Sequence, residues 1–487
     1  MYYPSLEEVR KMASDGNLVP VWREIVADLE TPVSAYLKVS RGGYSFLLES
    51  VEGGQRQARY SFIGTDPEKV LITNRGDQAG PLETVRAEMS RYTQVPLHGL
   101  PILCGGAVGY LAYETAGRFE DLPAPDNDPL GLPEAVFMIA NTMLVFDHVT
   151  HKVLIISNAH VEGDVEAAYN AAVGRIDELT ERLNAPLPPS QPAAVTTGTG
   201  EINSNFTQAV FEERVNKVKD YITAGEAIQV VLSQRLSRQT AAAPFDIYRA
   251  LRSINPSPYM YFLHLDSFDI VGASPETLVR VEDGIVTTRP LAGTRPRGSD
   301  YIEDGMLADE LLHDEKERAE HIMLVDLGRN DIGRISKPGT VVVSDLMEIE
   351  RYSHVMHMVT NVQGTLSDEY TAYDALQACF PAGTVSGAPK IRAMQIIAEL
   401  EPDRRGPYAG AVGYFSHNGN MDMAIAIRTM AVRDGTAYVQ AGCGLVYDSV
   451  PSREYQETMN KARALLKAIE QAENTLSKRS DHACINR

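Results

Sequence analysis

Two pairs of glutamates at helical spacing are the first candidates for chemistry in this sequence. Glu317 and Glu320 are three residues apart, and so are Glu454 and Glu457, with Lys461 four residues further on. Residues at this spacing lie on one face of a helix. Carboxylates from two helices can hold a hard cation such as Mg²⁺, which prefers oxygen ligands. The alternative is two solvated charged faces, the second carrying a Glu457–Lys461 surface ion pair.

Several groups suited to binding an anion lie in the last quarter of the chain. Arg428 directly follows the small and apolar run Met423–Ile427, and a buried arginine needs a protein or substrate carboxylate as its partner. Gly442 and Gly444 allow backbone amides to approach a ligand closely, although two glycines alone are no dinucleotide-binding fingerprint. The run Phe380–Lys390 precedes a predicted helix, whose first N–H groups either face an anion or are simply capped.

Two histidines three residues apart, His354 and His357, form the remaining candidate pair. Histidine exchanges protons near neutral pH, so either one can serve as a catalytic acid or base. A metal site is the second interpretation, although no cysteine or third histidine accompanies the pair. A hydrogen-bonded structural histidine is the third.

Composition limits the classes of function. The chain has 487 residues, 44% of them hydrophobic, and a formal net charge of −20. Nucleic-acid binding is disfavoured because it needs clustered Lys and Arg, and an anionic substrate needs a locally basic pocket or a metal ion. No stretch approaches the ~18 uninterrupted apolar residues of a membrane span, and the acidic N-terminus lacks a signal-peptide pattern. Four scattered cysteines form no C-x-x-C pair, so we expect a cytoplasmic protein that binds neither membrane nor nucleic acid.

A Pro-rich and Thr/Gly-rich stretch divides the chain. We assign an N-terminal region to 1–183, a linker to 184–204, a catalytic domain to 205–473 and a polar tail to 474–487. Apolar periodicity predicts helices and strands in both halves. The predicted helices are Val165–Leu183, Thr207–Ala224, Asp309–Asp326, Tyr370–Cys379, Pro389–Leu400 and Ser452–Ala472. The predicted strands are Ser34–Val39, Tyr44–Glu49, Ala135–Phe146, Lys152–Ile156, Ile228–Ser233, Tyr259–Leu265, Ile270–Ser274, Leu278–Val281, Gly410–Ser416, Met423–Val432 and Ala437–Ala441.

Six runs, in order along the chain, resemble the chorismate-utilising enzymes, and within that family the anthranilate synthase component I branch. The resemblance covers nearly the whole chain and implies an α+β fold, in which two antiparallel sheets form a sandwich with helices outside. The matching runs are Gly225–Arg235, Asn255–Met260, Ala273–Glu276, Arg289–Gly298, Glu320–Asp331 and Glu457–Ala462.

The resemblance implies a role for each matching residue. Glu320 and Glu457 are expected to hold Mg²⁺, which would bind the ring carboxylate of chorismate. Glu276 resembles the general acid that protonates the departing C4 hydroxyl, and His357 the histidine linked to pyruvate elimination. The residues expected to line the substrate pocket are Thr294, Thr384, Tyr408, Arg428, Gly442, Gly444 and Lys461.

Two positions separate the branches of the family. Isochorismate and salicylate synthases carry a lysine that activates water where this chain has Gln229, which cannot act as a base. Aminodeoxychorismate synthases carry a lysine that forms a covalent intermediate where this chain has Ala292. The resemblance therefore implies ammonia as the nucleophile, amination at C2 to 2-amino-2-deoxyisochorismate, and then loss of pyruvate to give anthranilate, the first committed step of tryptophan biosynthesis.

The resemblance also implies partners and a regulator. The amidotransferase pattern Gly-x-Cys-x-Gly-x-Gln does not occur, so ammonia is expected from glutamine through a separate amidotransferase subunit, in a heterotetramer with two copies of each chain. The run Leu47–Ser50 resembles the tryptophan-feedback motif, although an ordinary strand end is the alternative. The feedback residues implied are Glu49, Ser50, Asn255, Pro258, Tyr259 and Met260.

Three rival functions remain at this point. Component I of aminodeoxychorismate synthase is the nearest, and Ala292 argues against it. A catalytically inactive amino-acid sensor would keep only the tryptophan pocket, but Glu276, His357 and Arg428 are all present. A generic Mg²⁺ hydrolase lacks an identifiable base to activate water.

Overall fold

The computed structural model describes residues 1–26, 28–51, 59–189, 200–352 and 355–485, with side chains as far as residue 474. The described strands are β1 Leu18–Val26, β2 Tyr44–Glu49, β3 Tyr60–Thr65, β4 Lys69–Thr73, β5 Gly106–Leu111, β6 Ala135–Ala140, β7 Thr142–Asp147, β8 Lys152–His160, β9 Ile202–Ser204, β10 Gln229–Gln239, β11 Tyr259–Leu265, β12 Asp269–Ser274, β13 Thr277–Glu282, β14 Ile285–Thr288, β15 Leu291–Pro296, β16 Val342–Arg351, β17 Val355–Thr365, β18 Gly387–Ala388, β19 Ala411–Ser416, β20 Met421–Ile425, β21 Thr429–Arg433 and β22 Thr436–Leu445.

The helices lie before, between and after these strands. The described helices are α1 Leu6–Met12, α2 Pro32–Val39, α3 Pro81–Met89, α4 Val165–Asn184, α5 Gln208–Thr223, α6 Pro244–Ile254, α7 Tyr301–His313, α8 Glu315–Gly333, α9 Ala372–Cys379, α10 Gly383–Ser386, α11 Lys390–Leu400 and α12 Pro451–Ile485. A 3₁₀ turn spans Tyr113–Arg118. No helix in the described ranges is long and apolar enough to cross a membrane.

The strands form two antiparallel sheets. Sheet A has the order β1-β8-β7-β3-β2-β11-β12-β21-β22-β10-β18, with β9 also beside β10. Sheet B has the order β15-β17-β14-β13-β20-β19-β5-β6-β4, with β16 also beside β17. The predicted α+β fold, with two antiparallel sheets and helices outside, is confirmed.

Alternating side chains along the strands fill an inner core and two outer cores. Phe46 of β2 and Tyr110 of β5 point into the inner core between the sheets, where they are buried with Tyr261 of β11. Their sequence neighbours Leu47 and Leu111 point the other way, into outer cores that contain helix residues. Because both faces of these strands are covered, their sequences are apolar almost throughout.

Strands from before and after the predicted linker share both sheets. In sheet A, β2 pairs with β11, and Glu49 lies opposite Met260. In sheet B, β5 pairs with β19. The region boundaries stay a prediction, residues 190–199 of the predicted linker lie outside the described residues, and the last helix continues through the predicted tail to Ile485.

Two predicted elements are wrong for local reasons. The expected strand Ser34–Val39 is part of helix α2, because Thr31 and Ser34 form a reciprocal capping box and Pro32 occupies the first turn, signals that outweigh a short apolar run. The single helix expected over Asp309–Asp326 is divided at Asp314, which has extended backbone and caps α8 by accepting hydrogen bonds from two backbone N–H groups.

Two of the predicted strands are each divided into two shorter strands that belong to different sheets. Ala135–Phe146 divides between β6 and β7 at Asn141, where the chain moves from sheet B to sheet A. Met423–Val432 divides between β20 and β21, where the chain again passes from sheet B to sheet A. In both cases an apolar run continues because the strands on either side of the crossing are buried.

Candidate active site

Two crossings between the sheets lie side by side and carry charged residues. One crossing joins β12 to β13 and contains Glu276, and the other joins β20 to β21 and contains Arg428. The backbone N–H of Ala273 donates to the Arg428 carbonyl at 3.1 Å, and that of Ile425 donates to the Glu276 carbonyl at 3.1 Å. These two hydrogen bonds hold both crossings in one register.

Glu276 is a buried carboxyl group at the edge of a small cavity. Burial raises its pKa to about 8, against smaller opposing effects of the Thr384 side chain, the Leu291 backbone and the Lys461 charge. A carboxyl group with this pKa is mostly protonated at neutral pH and can donate a proton. The cavity, about 30 Å³ in volume, is also lined by Thr384 on α10.

His357 lies opposite Thr294 in the β15–β17 pair, next to an irregularity at Gly293. Its Nδ1 is 3.1 Å from the Gly293 carbonyl oxygen and 3.0 Å from Thr294 Oγ1. Because a carbonyl only accepts, Nδ1 carries the proton, and Nε2 keeps a lone pair. Burial, together with the positive charge of Arg428, lowers the pKa of His357 to about 4, so the ring is a neutral base at physiological pH.

Arg428 is held in a conformation that few arginines adopt. Its φ is +51°, in the left-handed region, and burial lowers its pKa. Within the described ranges it forms no ion pair, and the groups that stabilise its charge are Tyr408 and Glu457. A strained and desolvated arginine whose guanidinium has no carboxylate in direct contact is suited to receive one from a ligand.

The two glycines of β22 form a flat surface because they lack side chains. A methyl group at Gly442 would lie 2.7 Å from the Tyr408 hydroxyl, and one at Gly444 would lie 2.7 Å from Gln229 Nε2. Both close approaches occur on the same face of the strand, as expected for residues two apart. Lys461 of α12 donates to the Gly442 carbonyl at 3.0 Å.

The two predicted metal ligands belong to different helices, and each contacts a side chain that lies against this glycine pair, Gln229 for Glu320 and Lys461 for Glu457. Glu320 of α8 accepts a hydrogen bond from Gln229 Nε2 at 2.8 Å, and its Oε1 would be 3.6 Å from a methyl group at Gly444. Glu457 of α12 forms an ion pair of 2.8 Å with Lys461. Among the side chains that the structure describes, Glu320 has no ion-pair partner.

This donor set fits Mg²⁺. No group of three metal-ligating side chains occurs in the described part of the chain, so the two carboxylates would leave most of an octahedral shell to water and substrate oxygens, as Mg²⁺ prefers. Glu317, one turn before Glu320, bonds instead to Arg295, and Glu454 is nearly buried.

Other candidates from the sequence are placed elsewhere or lie outside the described residues. Lys390, at the end of the run expected to face an anion, bonds to Asp331 at 2.8 Å. His354 is not described. Asp331 and Gly383 line the cavity beside Glu276, although sequence reasoning assigned no role to either residue.

A second cavity, about 110 Å³ in volume, lies where β2, β11, β13, β19 and β20 meet. Five of the six predicted feedback residues line it. Asn255 does not, because it ends helix α6, where its carbonyl accepts a hydrogen bond from Ser257. The lining residues are Leu48, Glu49, Ser50, Arg59, Tyr60, Phe62, Ile102, Pro258, Tyr259, Met260, Tyr261, Arg280, Val412, Gly413, Tyr414 and Asp422. We call this cavity the feedback pocket, after the prediction made from the sequence for five of the residues that line it.

Sequence reasoning missed the charged groups of the feedback pocket. Arg280 and Asp422, on neighbouring strands of sheet B, form an ion pair of 2.6 Å. Arg59, which directly precedes β3 of sheet A, pairs with Asp147 at 2.9 Å. A signal was present, because Arg280 and Asp422 interrupt otherwise apolar strands, and charges in such positions need partners.

Comparisons with known proteins identify the family of the chain. Residues 43–467 match the family described as chorismate binding enzyme. The chain is 51% identical to "Anthranilate synthase component 1" of Acetivibrio thermocellus, over 97% of this chain and 99% of the relative. It is 48% identical to the protein of the same name from Pseudomonas aeruginosa, over 96% and 99%.

A solved structure shows the same architecture. Anthranilate synthase component I from Streptococcus pneumoniae TIGR4 superposes with a TM-score of 0.77 at 40% sequence identity, and the match covers 91% of this chain and 99% of that one. Family, relatives and fold therefore agree along nearly the whole length. This chain belongs to the chorismate-binding enzymes and, within them, to the anthranilate synthase component 1 family.

Proposed function

We propose that this chain converts chorismate and ammonia into anthranilate and pyruvate, through 2-amino-2-deoxyisochorismate, with Mg²⁺ as cofactor. The observation that carries the proposal is that one site contains a protonated carboxyl group and an unprotonated imidazole at neutral pH. Glu276 is protonated at neutral pH because its pKa is raised to about 8. His357 is neutral because its pKa is lowered to about 4. These are the states that a general acid and a general base need.

The two groups act in successive half-reactions. Glu276 gives its proton to the C4 hydroxyl as that group leaves and ammonia forms a bond to C2. His357 Nε2, which has no hydrogen bond within the described residues, then accepts the C2 proton as the enolpyruvyl C–O bond breaks. The departing enolpyruvate takes up that proton at its methylene carbon and leaves as pyruvate, the added ammonium group returns one proton to Glu276, and the ring becomes aromatic.

The dianionic substrate needs two positive groups in a chain of net charge −20. Arg428 and the backbone amides of Gly442 and Gly444 are suited to the enolpyruvyl carboxylate. Glu320 and Glu457 would hold Mg²⁺, which supplies positive charge for the ring carboxylate. Thr294, Thr384, Tyr408 and Lys461 complete the polar lining.

The lining also supports ammonia as the nucleophile. The Gln229 amide is not basic, and it already donates to Glu320, so it cannot deprotonate water. Ala292 is buried and offers no amine for a covalent intermediate. We propose that ammonia comes from glutamine, through a separate amidotransferase subunit, in a cytoplasmic heterotetramer with two copies of each chain.

Tryptophan is the proposed inhibitor, bound in the feedback pocket as the end product of its pathway. The pocket offers aromatic walls from Tyr60, Tyr259 and Tyr261, and charges of both signs from Arg280 and Asp422. Such a lining matches an aromatic side chain on a zwitterionic backbone. Glu49 is buried and turned towards α6, where Arg252 binds it at 3.0 Å.

The test is anthranilate fluorescence from chorismate, MgCl₂ and ammonium chloride at alkaline pH, with the purified chain alone. We expect anthranilate with ammonium, none after EDTA treatment, and none when glutamine replaces ammonium. A different aromatic product would assign the chain to a sister enzyme. Tryptophan binding without chorismate consumption would make it a sensor and refute the proposal.

A further inference from the structure

Two tyrosines of the feedback pocket reach out of it towards the active site. Tyr259 and Tyr261 lie two residues apart on β11, and both line the pocket. The Tyr259 hydroxyl is 2.8 Å from Thr277 Oγ1, and the Tyr261 hydroxyl is 2.5 Å from Thr429 Oγ1. Each threonine directly follows an active-site residue, Glu276 in one case and Arg428 in the other.

The direction of these hydrogen bonds follows from the other partners. Thr429 donates its single hydroxyl proton to the Ile427 carbonyl at 2.9 Å, so Tyr261 donates to Thr429. Tyr259 donates to the Asp422 carboxylate at 2.9 Å, so it accepts from Thr277. Burial raises the pKa of both tyrosines, so both remain protonated donors.

We call each tyrosine together with its threonine partner an arm: Tyr259 with Thr277, and Tyr261 with Thr429. The Tyr259 arm can be contacted by a ligand that binds in the pocket. Asp422 and Arg280 line the pocket, and both contact the Tyr259 hydroxyl, at 2.9 and 3.3 Å. The ammonium or carboxylate of a bound amino acid competes for these two charges. The Tyr259 proton and its partner Thr277 must then rearrange.

The Tyr261 arm is rigid by comparison. Its ring packs over Gly272 of the neighbouring strand, where a methyl group would lie 2.1 Å from a ring carbon. Tyr261 is almost fully buried, so movement of the pocket wall moves the hydroxyl together with the strand.

The backbone beside each threonine is irregular, so local geometry there sets where the neighbouring active-site side chain points. The β13–β20 pairing shifts register between Thr277 and Val279, directly after Glu276. Arg428 has its φ in the left-handed region directly before Thr429. Bulges and left-handed residues re-aim neighbouring side chains, so small shifts at these points change where a functional group lies.

We propose that Thr277 and Thr429 are positioning residues that transmit occupancy of the feedback pocket, through the hydroxyls of Tyr259 and Tyr261, to the placement of Glu276 and Arg428. The inference rests on the proposed function, since it requires tryptophan in that pocket and chorismate turnover at the site. It also assigns a different kinetic effect to each arm. The Tyr259 arm, through Thr277, acts on the proton donor and thus on kcat. The Tyr261 arm, through Thr429, acts on the carboxylate-binding arginine and thus on KM.

The test compares Thr277→Val and Thr429→Val, which remove a hydroxyl at nearly constant volume, with Thr277→Ser and Thr429→Ser, which keep it. Tryptophan binding is measured by calorimetry without substrate. The effect of saturating tryptophan on kcat and KM is measured by anthranilate fluorescence. Thr436→Val, at the start of β22, makes the same chemical change away from both arms and serves as the control.

We expect the valine variants to bind tryptophan with a Kd within about threefold of the wild-type value. The change that saturating tryptophan causes in kcat or KM should be about fivefold smaller than in wild type, which corresponds to the loss of one hydrogen bond of ~1 kcal/mol. Thr277→Val should lose the effect on kcat, Thr429→Val the effect on KM, and the serine variants should recover both.

Wild-type inhibition in both valine variants would overturn the inference, and so would loss of tryptophan binding in them, since the threonines would then belong to the pocket itself. Failure of the wild-type protein to bind tryptophan or to be inhibited by it would instead refute the proposed feedback function, and the two failures are thereby distinguished.

Discussion

The raised pKa of Glu276 makes the stability of the protein depend on pH in a way that one substitution removes. In the folded protein this pKa is about 8, against an ordinary value of 4.5. Between these values the unfolded chain has lost the proton and the folded protein keeps it. The contribution of Glu276 to stability is therefore greatest below pH 4.5 and falls as the pH rises towards 8. Glu276→Gln, a neutral group of the same shape, has no such dependence.

The size of the effect follows from the shift. Each pH unit between the two pKa values costs about 1.4 kcal/mol, so the whole interval is worth ~5 kcal/mol. Relative to wild type, Glu276→Gln should gain roughly 2.5 kcal/mol of unfolding free energy between pH 5 and pH 7, and the gain should level off near pH 9. The same variant should lose about 10²- to 10⁴-fold in kcat because the proton donor is gone.

The assay is urea denaturation of both proteins at pH 5, 7 and 9, followed by circular dichroism, together with anthranilate formation at pH 7. Glu282→Gln removes a carboxylate from the other end of β13 and serves as the matched control. A stability difference between Glu276→Gln and wild type that stays constant with pH would refute the reasoning, because Glu276 would then be ionised at neutral pH.

Three further predictions concern the remaining groups of the site. Arg428→Lys should raise the KM for chorismate about 10- to 100-fold, since lysine cannot bind a carboxylate with two parallel hydrogen bonds; an unchanged KM would exclude this carboxylate contact. Glu320→Gln should raise the Mg²⁺ concentration for half-maximal rate by at least ~10-fold, measured by MgCl₂ titration, and wild-type dependence would exclude Glu320 as a ligand. Gly444→Ala should weaken Mg²⁺ activation, because its methyl group would lie 2.7 Å from Gln229 Nε2, whereas Gly305→Ala, which meets no atom within 4 Å, should not.

The sequence predicts strands well where local pattern and burial agree. The predicted strand Tyr259–Leu265 is β11 with the same ends, because aromatic residues fill it and turn residues flank it. Ser34–Val39 is also a short and partly apolar run, but its capping residues favour a helix. A crossing between the sheets leaves only a short polar interruption in the pattern, since Met423–Val432 is apolar on both sides of Arg428 and Thr429, at the break between β20 and β21.

Residue types at the site can be predicted, but their environments depend on long-range contacts. The raised pKa of Glu276 comes mainly from burial, which no local sequence feature encodes. Glu320 and Glu457 belong to helices more than 100 residues apart, and their connection to one glycine pair, through Gln229 and Lys461, is a tertiary feature. The Arg280–Asp422 ion pair was missed because its two members are distant in sequence.

The candidate active site lies where strands cross between the two sheets, and the burial of the sheets explains this location. Within the sheets, both faces of a strand are buried and the backbone groups are paired, so a charge there is costly unless another charge binds it, as Asp422 binds Arg280. Where the chain leaves a sheet, the register is irregular and a side chain can remain unpaired. Glu276 and Arg428 occupy two such crossings, joined by reciprocal backbone hydrogen bonds. Since β12, the strand before one crossing, pairs with β11 of the feedback pocket, we expect a ligand that displaces β11 to displace the crossing that contains Glu276 as well.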